Sequence, residues 1–231
     1  MADRVPQHVA IILDGNRRWA KSQGKNVIEG HKAGAENVLK MIRHLYKRNI
    51  HTITLWVFST ENWTRDQLQV QALMMLFQQL ADPYFKEAIE QKARIIHIGR
   101  RDRIPQGLRK KIEQYEQDSA HFTDHGLNIA LDYGGRDDVL RAIRKLVEQG
   151  VDPETITEES FNNYLDTKGQ KYPEPDIIIR TGGENRMSGF MIWQGVYAEY
   201  FFPKKFLPEM TTDDLDAILD EYKNRDRRFG K

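Results

Sequence analysis

Four short polar stretches in this sequence each follow an apolar run, and each carries residues suited to gripping an anion. The first is Asp14-Gly15-Asn16-Arg17-Arg18-Trp19. Gly15 lets backbone approach a ligand closely, and a helix beginning near Asn16 would turn its free N–H groups toward negative charge. Arg17 and Arg18 add cationic charge. Asp14 beside the same anion would be repelled unless a hard divalent ion lay between them, and Mg²⁺ is the ion held by one or two carboxylates together with phosphate oxygens. A plain Asx-type turn or helix cap accounts for Asp14-Gly15-Asn16 equally well when that stretch is read alone.

The second stretch is Ser59-Thr60-Glu61-Asn62-Trp63, the third Asp132-Tyr133-Gly134-Gly135-Arg136, and the fourth Arg180-Thr181-Gly182-Gly183-Glu184-Asn185-Arg186. Arg180 and Arg186, with Thr181, Ser188 and nearby backbone amides, suit bidentate recognition of a diphosphate. No Gly-Lys-Ser/Thr follows the Gly-Gly pair, so it is not a Walker-type phosphate loop. His31 follows Gly30 and is expected just before a helix from Lys32, where it becomes a phosphate ligand or a solvent-facing side chain. Glu199 lies in the apolar setting Trp193-Gln194-Gly195-Val196-Tyr197-Ala198-Glu199-Tyr200, and such a carboxylate needs a metal or an arginine partner.

The elements that must position these residues alternate in type. Buried strands are predicted at Val9–Leu13, Thr52–Phe58, Arg94–Ile98, Leu127–Leu131 and Asp176–Ile179. Helices are predicted over about 32–48, 67–91, 105–118, 135–149, 157–166 and 211–224, the last opened by Thr211 or Thr212 with Asp213 and Asp214 in its first turn. Strands buried on both faces and separated by helices predict an α/β fold: one domain over 1–231, with a mostly parallel central sheet flanked by helices. Ligands of such sheets sit at the carboxyl ends of the strands, where all four polar stretches fall. The helix over 67–91 sets Leu68, Ala72, Met75, Leu76 and Leu80 along one broad face, which packs as core or lines a hydrophobic tunnel for an apolar ligand.

Composition narrows the classes. The chain has 231 residues, 30% of them charged, a net charge of +1 and no cysteine. Absent cysteine excludes disulfides, thiolate metal sites and cysteine nucleophiles, and fits a cytoplasmic protein. The near-neutral charge argues against nucleic acid as a partner. No signal region is expected, nor any stretch near the ~20 apolar residues that span a bilayer, so contact with a membrane is at most peripheral.

Taken together, the blocks from His8 to Ala20, Gly30-His31-Lys32-Ala33-Gly34, Phe58 to Trp63, Tyr133-Gly134-Gly135-Arg136, Asp176 to Glu184 and Arg227-Arg228-Phe229-Gly230 resemble the cis-prenyltransferase family, which includes undecaprenyl diphosphate synthase. They run in that family's order over nearly the whole chain. The resemblance implies condensation of isopentenyl diphosphate onto an allylic diphosphate such as farnesyl diphosphate, giving a new cis double bond. It implies that Asp14 holds Mg²⁺. Gly15, Asn16, Arg17, Arg18 and His31 would cradle the allylic diphosphate, with Trp19, Trp63 and Arg65 joining the substrate contacts. Arg180, Arg186 and Ser188 would hold isopentenyl diphosphate, and Asn62 and Ser59 would assist proton loss. Glu199 would help to position metal across a homodimer, and Arg228 and Gly230 would belong to a terminal Arg-x-Gly segment reaching the partner's site.

Three positions depart from the family pattern: Val27 where many bacterial members have arginine, Arg17 where some have glycine, and Gly189 where asparagine is frequent. Val57, Met75 and Leu76 are expected in the tunnel wall. Smaller residues near Val57 favour long chains, and no long insertion separates Trp63 from Ile95. The implied product is therefore undecaprenyl-like in length, with a short-chain or branching synthase as the alternative. A non-catalytic partner subunit would lack Asp14 and its arginines. An all-helical trans-type synthase would need Asp-Asp-x-x-Asp clamps, which Asp137-Asp138 and Asp213-Asp214 do not continue.

Overall fold

In a computed structural model the protein is described over residues 5–225, so Arg228 and Gly230 lie outside the described residues. Six strands form one sheet: β1 (His8–Ile12), β2 (Thr52–Ser59), β3 (Ala93–Ile98), β4 (His125–Tyr133), β5 (Ile177–Arg180) and β6 (Glu199–Phe201). Their order is β3-β4-β2-β1-β5-β6, and every pairing is parallel. From β1 the chain sets β2 alongside, β3 at the far edge and β4 between them, then crosses to the other side of β1 with β5 and β6. That reversal places a switch-point crevice at the carboxyl end of β1, where open α/β sheets take ligands.

Alternate residues of β1 feed two separate cores, as the two-residue period of a strand dictates. Val9 and Ile11 pack with Leu55, Ile95, Leu127 and Ile179 beneath α2 (Val27–Lys47), α3 (Gln67–Glu90), α4 (Gln106–Ser119) and α7 (Thr212–Asn224). Ala10 and Ile12 face the other way, against Phe190, Met191 and Ala198 in the turns that precede β6. On that second side α5 (Gly135–Glu148) and the short α6 (Glu158–Asn162) pack through Ala142, Leu146, Phe161 and Leu165.

Caps and turns set several element bounds that the apolar pattern does not mark. A capping box between Asn26 and Glu29 begins α2 at Val27, five residues before the expected start, so His31 sits in the helix rather than ahead of it. The predicted helix over 157–166 shrinks to α6, because the segment turns repeatedly after Asn162. β4 runs on to Tyr133, and the three-residue β6 is too short to announce itself by alternation.

α1 (Asn16–Ser22) is pressed close against α2. A Cβ on Gly30 would stand 2.3 Å from the Asn16 carbonyl oxygen, and one on Gly34 2.1 Å from Asn16 Oδ1. Only glycine lets α2 pass the first residue of α1 so closely, which ties the Gly30…Gly34 pair to the placement of the Asp14–Arg18 stretch.

Candidate active site

β1, β2 and β5 end side by side, and a cleft of about 740 Å³ opens over them. Its walls hold six cations, Arg17, Arg18, Lys21, Arg65, Arg180 and Arg186, against three carboxylates, Asp14, Glu61 and Glu184. Six minus three leaves three positive charges to attract a polyanion.

Asp14 sits at the centre of this arrangement. Its Oδ2 accepts from Arg180 Nη2 at 2.9 Å and Nε at 3.3 Å, and its Oδ1 from Arg18 Nη2 at 3.3 Å. Thr181 pins the same backbone: its Oγ1 donates to the Asp14 carbonyl at 2.6 Å. Burial pushes the Asp14 carboxyl up, but the hydrogen bond from Arg180, the Gly15 N–H and the two guanidinium charges outweigh it and hold the group below the ordinary aspartate value. Asp14 is therefore an anion in this setting. Gly15 takes φ +102°, and a side chain there would run into Phe206, so the turn into α1 requires glycine.

Arg180 is the most enclosed of the cations, its side chain 7% exposed. Its Nη1 donates to Ser188 Oγ at 2.8 Å and to the Arg186 carbonyl at 2.6 Å, so one guanidinium joins Asp14 to the 186–188 turn. Ser188 adopts φ +51°, a left-handed conformation uncommon for serine. Arg186 reaches Glu184, which also accepts from Arg18 Nη1 at 2.7 Å. The structure thus brings Asp14, Arg18, Arg180, Arg186 and Ser188 into one hydrogen-bonded chain. Glu184, to which the sequence pattern alone assigns no role, is the link between two of its arginines; its signal in the sequence is a carboxylate set between Arg180 and Arg186.

The Gly182-Gly183 amides are not presented to a ligand. Gly182 N donates to the Lys205 carbonyl at 2.7 Å and Gly183 N to the Pro203 carbonyl at 2.9 Å. Anion recognition on this side of the cleft therefore falls to side chains.

At the far side, Ser59 and Asn62 line the cleft and bind each other, Ser59 N donating to Asn62 Oδ1 at 3.1 Å. Arg65 lines it too; burial and the nearby Arg17 lower its proton affinity. Val27 also lines it, so the position that departs from the family pattern stands where a charge would face the cleft. Trp63 and Trp19 do not line it. Trp63 Nε1 donates to Asp132 Oδ1 at 2.8 Å, with Arg103 over its ring, while Lys25 covers Trp19.

Below the cleft lies an apolar cavity of about 130 Å³ between the sheet and the helices α2 and α3. Leu13, Asn16, His31 and Val57 line both spaces, so they form the neck between the charged cleft and the apolar cavity. Burial, followed by the charges of Arg65 and Arg17, lowers His31 to a pKa of about 4, so it is neutral at neutral pH. Asn16 Nδ2 lies 3.5 Å from His31 Nδ1, and His31 Nε2 is buried with no hydrogen-bond partner among the described residues.

Val57 and Leu76 line the cavity. Met75 does not: it is 65% exposed. The inward stripe of α3 runs through Leu73, Leu76, Leu80 and Tyr84, and the helical period turns Leu68 and Met75 to the outside. The broad face predicted for α3 is two faces.

Glu199 opens β6 beside Ile177, at the amino end of the sheet, and pairs with Arg225 at 2.7 Å. Asp14 and Arg180 lie at the carboxyl end, roughly 10 Å further along at the rise of a strand. Within one chain Glu199 and Asp14 do not meet.

The parallel sheet thus carries, at its switch point, a cationic cleft that opens onto an apolar cavity. The chain belongs to the prenyltransferase family described as putative undecaprenyl diphosphate synthase, whose family model matches residues 12–230. It is 40% identical to an isoprenyl transferase of Aquifex aeolicus, over all of this chain and 98% of the relative. It is 39% identical to the farnesyl-diphosphate-specific ditrans,polycis-undecaprenyl-diphosphate synthase of Yersinia pseudotuberculosis, over 100% and 92% of the two chains. Among solved structures, lavandulyl diphosphate synthase from Lavandula x intermedia, in complex with dimethylallyl diphosphate, superposes with a TM-score of 0.94 at 36% identity, covering 98% of this chain and 99% of that one.

Proposed function

We propose that this prenyltransferase condenses isopentenyl diphosphate with an allylic diphosphate of the farnesyl type to give a Z-polyprenyl diphosphate. The observation that carries the reading is the shared neck: one site for charge opens directly into one site for hydrocarbon. The allylic diphosphate lies against Gly15, Asn16, Arg17, Arg18 and Arg65, with its hydrocarbon passing His31 into the cavity. Isopentenyl diphosphate is held by Arg180, Arg186 and Ser188. The allylic C–O bond breaks as the new C–C bond forms, its electron pair leaving with the diphosphate, and a proton leaves the isopentenyl unit beside Ser59 and Asn62 for a diphosphate oxygen. The arginines hold two polyanions side by side that would otherwise repel, which is most of the protein's task.

Among the described residues no group of three carboxylates or histidines forms a ready-made metal cage. Asp14 instead fits the mode in which Mg²⁺ takes one carboxylate and completes its shell with phosphate oxygens and water. When bound, the ion neutralises diphosphate charge. A role for Glu199 at the metal requires a second subunit, since its own chain holds it at the other end of the sheet. We place the homodimer contact on the exposed apolar face of α5, where Leu140, Ile143 and Val147 recur at helical spacing. Among the described residues no helix is long and apolar enough to cross a membrane. The assigned setting is the cytoplasm, with peripheral membrane contact at most for a lipid product.

An undecaprenyl-like product follows the relatives' names. A short-chain or branching product is the second reading, favoured by the likeness to lavandulyl diphosphate synthase and by the small cavity. Incubation with labelled isopentenyl diphosphate and either farnesyl or dimethylallyl diphosphate, with and without EDTA, followed by product sizing, separates them. Ladder products from farnesyl diphosphate that vanish with EDTA are expected. No extension of either primer would refute prenyl transfer.

A further inference from the structure

The apolar cavity, at about 130 Å³, is close to the engineered 150 Å³ apolar cavity that takes one benzene ring. It admits about one isoprene unit. A longer hydrocarbon must move a wall.

The sheet wall is fixed. Val57 and Leu131 form its upper layer, Leu55 and Ile129 the next, and buried Ile53 and Leu127 close it below. β2 is paired on both sides, by β1 and β4, and β4 by β2 and β3. The helix wall is made by Ala35 and Val38 of α2 and by Leu76, Leu80 and Tyr84 of α3. Its weak point is Pro83, inside α3. Proline has no N–H, so the Gln79 carbonyl has no helical donor and the helix is soft there. The next residue carries a fastening: Tyr84 donates its hydroxyl to the Ala35 carbonyl on α2, across the seam between the two helices. Burial, then the charge of Glu36, raises the Tyr84 phenol, so the hydroxyl keeps its proton.

Resting on the reading of this chain as a prenyl-chain-elongating enzyme, we propose that Tyr84 is a product-length determinant, its hydroxyl latching α3 to α2 over the cavity beside the proline-weakened turn. The latch opposes opening of the wall, so each added unit that must widen the cavity is disfavoured while it holds. The relevant contact is made by the hydroxyl, and the ring supplies packing.

The test is the product-length distribution from farnesyl diphosphate and labelled isopentenyl diphosphate for the wild type, Tyr84→Phe, Tyr84→Leu and Met75→Ala. Tyr84→Phe keeps the ring and removes the donor, so it should shift the distribution to longer chains. Tyr84→Leu should shift it further, and Met75→Ala, on the outward face of α3, should leave it where it was. Wild-type distributions from both Tyr84 variants overturn the latch while leaving prenyl transfer intact. A shift in the leucine variant alone assigns the effect to bulk and also overturns it. A comparable shift with Met75→Ala assigns the effect to general loosening of α3 and likewise overturns the latch. A wild-type protein that extends no primer overturns the latch and the enzymatic reading together.

Discussion

Replacing Asp14 with alanine should have opposite effects on diphosphate binding and on turnover. The cleft carries six cations and three carboxylates, so the substitution raises its net charge from +3 to +4. Asp14 is 30% exposed at the side chain, which places it between the interior and water in screening. At ~6 Å and an effective dielectric constant of ~40, one carboxylate opposes one phosphate charge by about 1.4 kcal/mol, a factor of about ten in affinity. Metal-free inorganic diphosphate should therefore bind the alanine variant roughly tenfold more tightly than the wild type. With Mg²⁺ present the advantage should disappear, because only the wild type gains a carboxylate ligand for the ion, and turnover should fall roughly 100-fold or more, as when an electrostatic stabiliser is lost. Isothermal titration of inorganic diphosphate in EDTA and in MgCl₂, at one ionic strength and beside a steady-state assay, measures both effects. Metal-free binding no tighter in the variant would refute the charge argument. Near wild-type turnover with Mg²⁺ would refute the metal assignment.

Val57 narrows the neck, so Val57→Ala should lengthen the product; an unchanged distribution on thin-layer chromatography would remove Val57 from length control. Val147→Asp sets a charge on the exposed apolar face of α5 and should shift the protein to monomer in sedimentation, whereas an unchanged oligomeric state would move the contact elsewhere. Acid should destabilise the fold. His8 and His97 are driven to about 4, mainly by burial, as is His31, so between pH 6.5 and 4 the unfolded chain takes protons that the folded one refuses. Each histidine removes up to ~3 kcal/mol by pH 4, at about 1.4 kcal/mol per pKa unit. Asp138, raised to about 6 by burial and by the charge of Asp166, works in the opposite direction over much of the same range, but three histidines outweigh one carboxyl. The urea midpoint should fall between pH 7 and pH 4.5, and a midpoint that stayed level or rose would contradict this reading.

Strand ends were legible in the sequence because apolar runs stop abruptly at charged, glycine-bearing stretches, and the sheet rule then says on which edge they gather. Asp14, Arg18, Arg180, Arg186 and Ser188 stand at or just beyond those ends, and hydrogen bonds link them in the structure. The phase of α3 was not legible. Apolar residues occur on both its faces, and only packing decides that Leu76 points in and Met75 out. The start of α2 was missed because the cap that sets it, Asn26 with Glu29, lies outside the apolar pattern used to find the helix. Which backbone amides remain free for an anion was also out of reach: the Gly182-Gly183 amides are taken by Pro203 and Lys205, residues about twenty positions away.

Glu184, between Arg18 and Arg186, has a consequence for selectivity. Together with Asp14 it leaves the cleft furnished with its own counter-ions, like an ion-exchange resin loaded before use. An anion entering the cleft must out-compete carboxylates that are already seated and that lose no translational freedom by staying. Chloride, with one charge and no second point of attachment, is a poor competitor. On the proposed reading, a diphosphate would engage several guanidinium groups at once and release both carboxylates, one of which would then be available to a divalent cation.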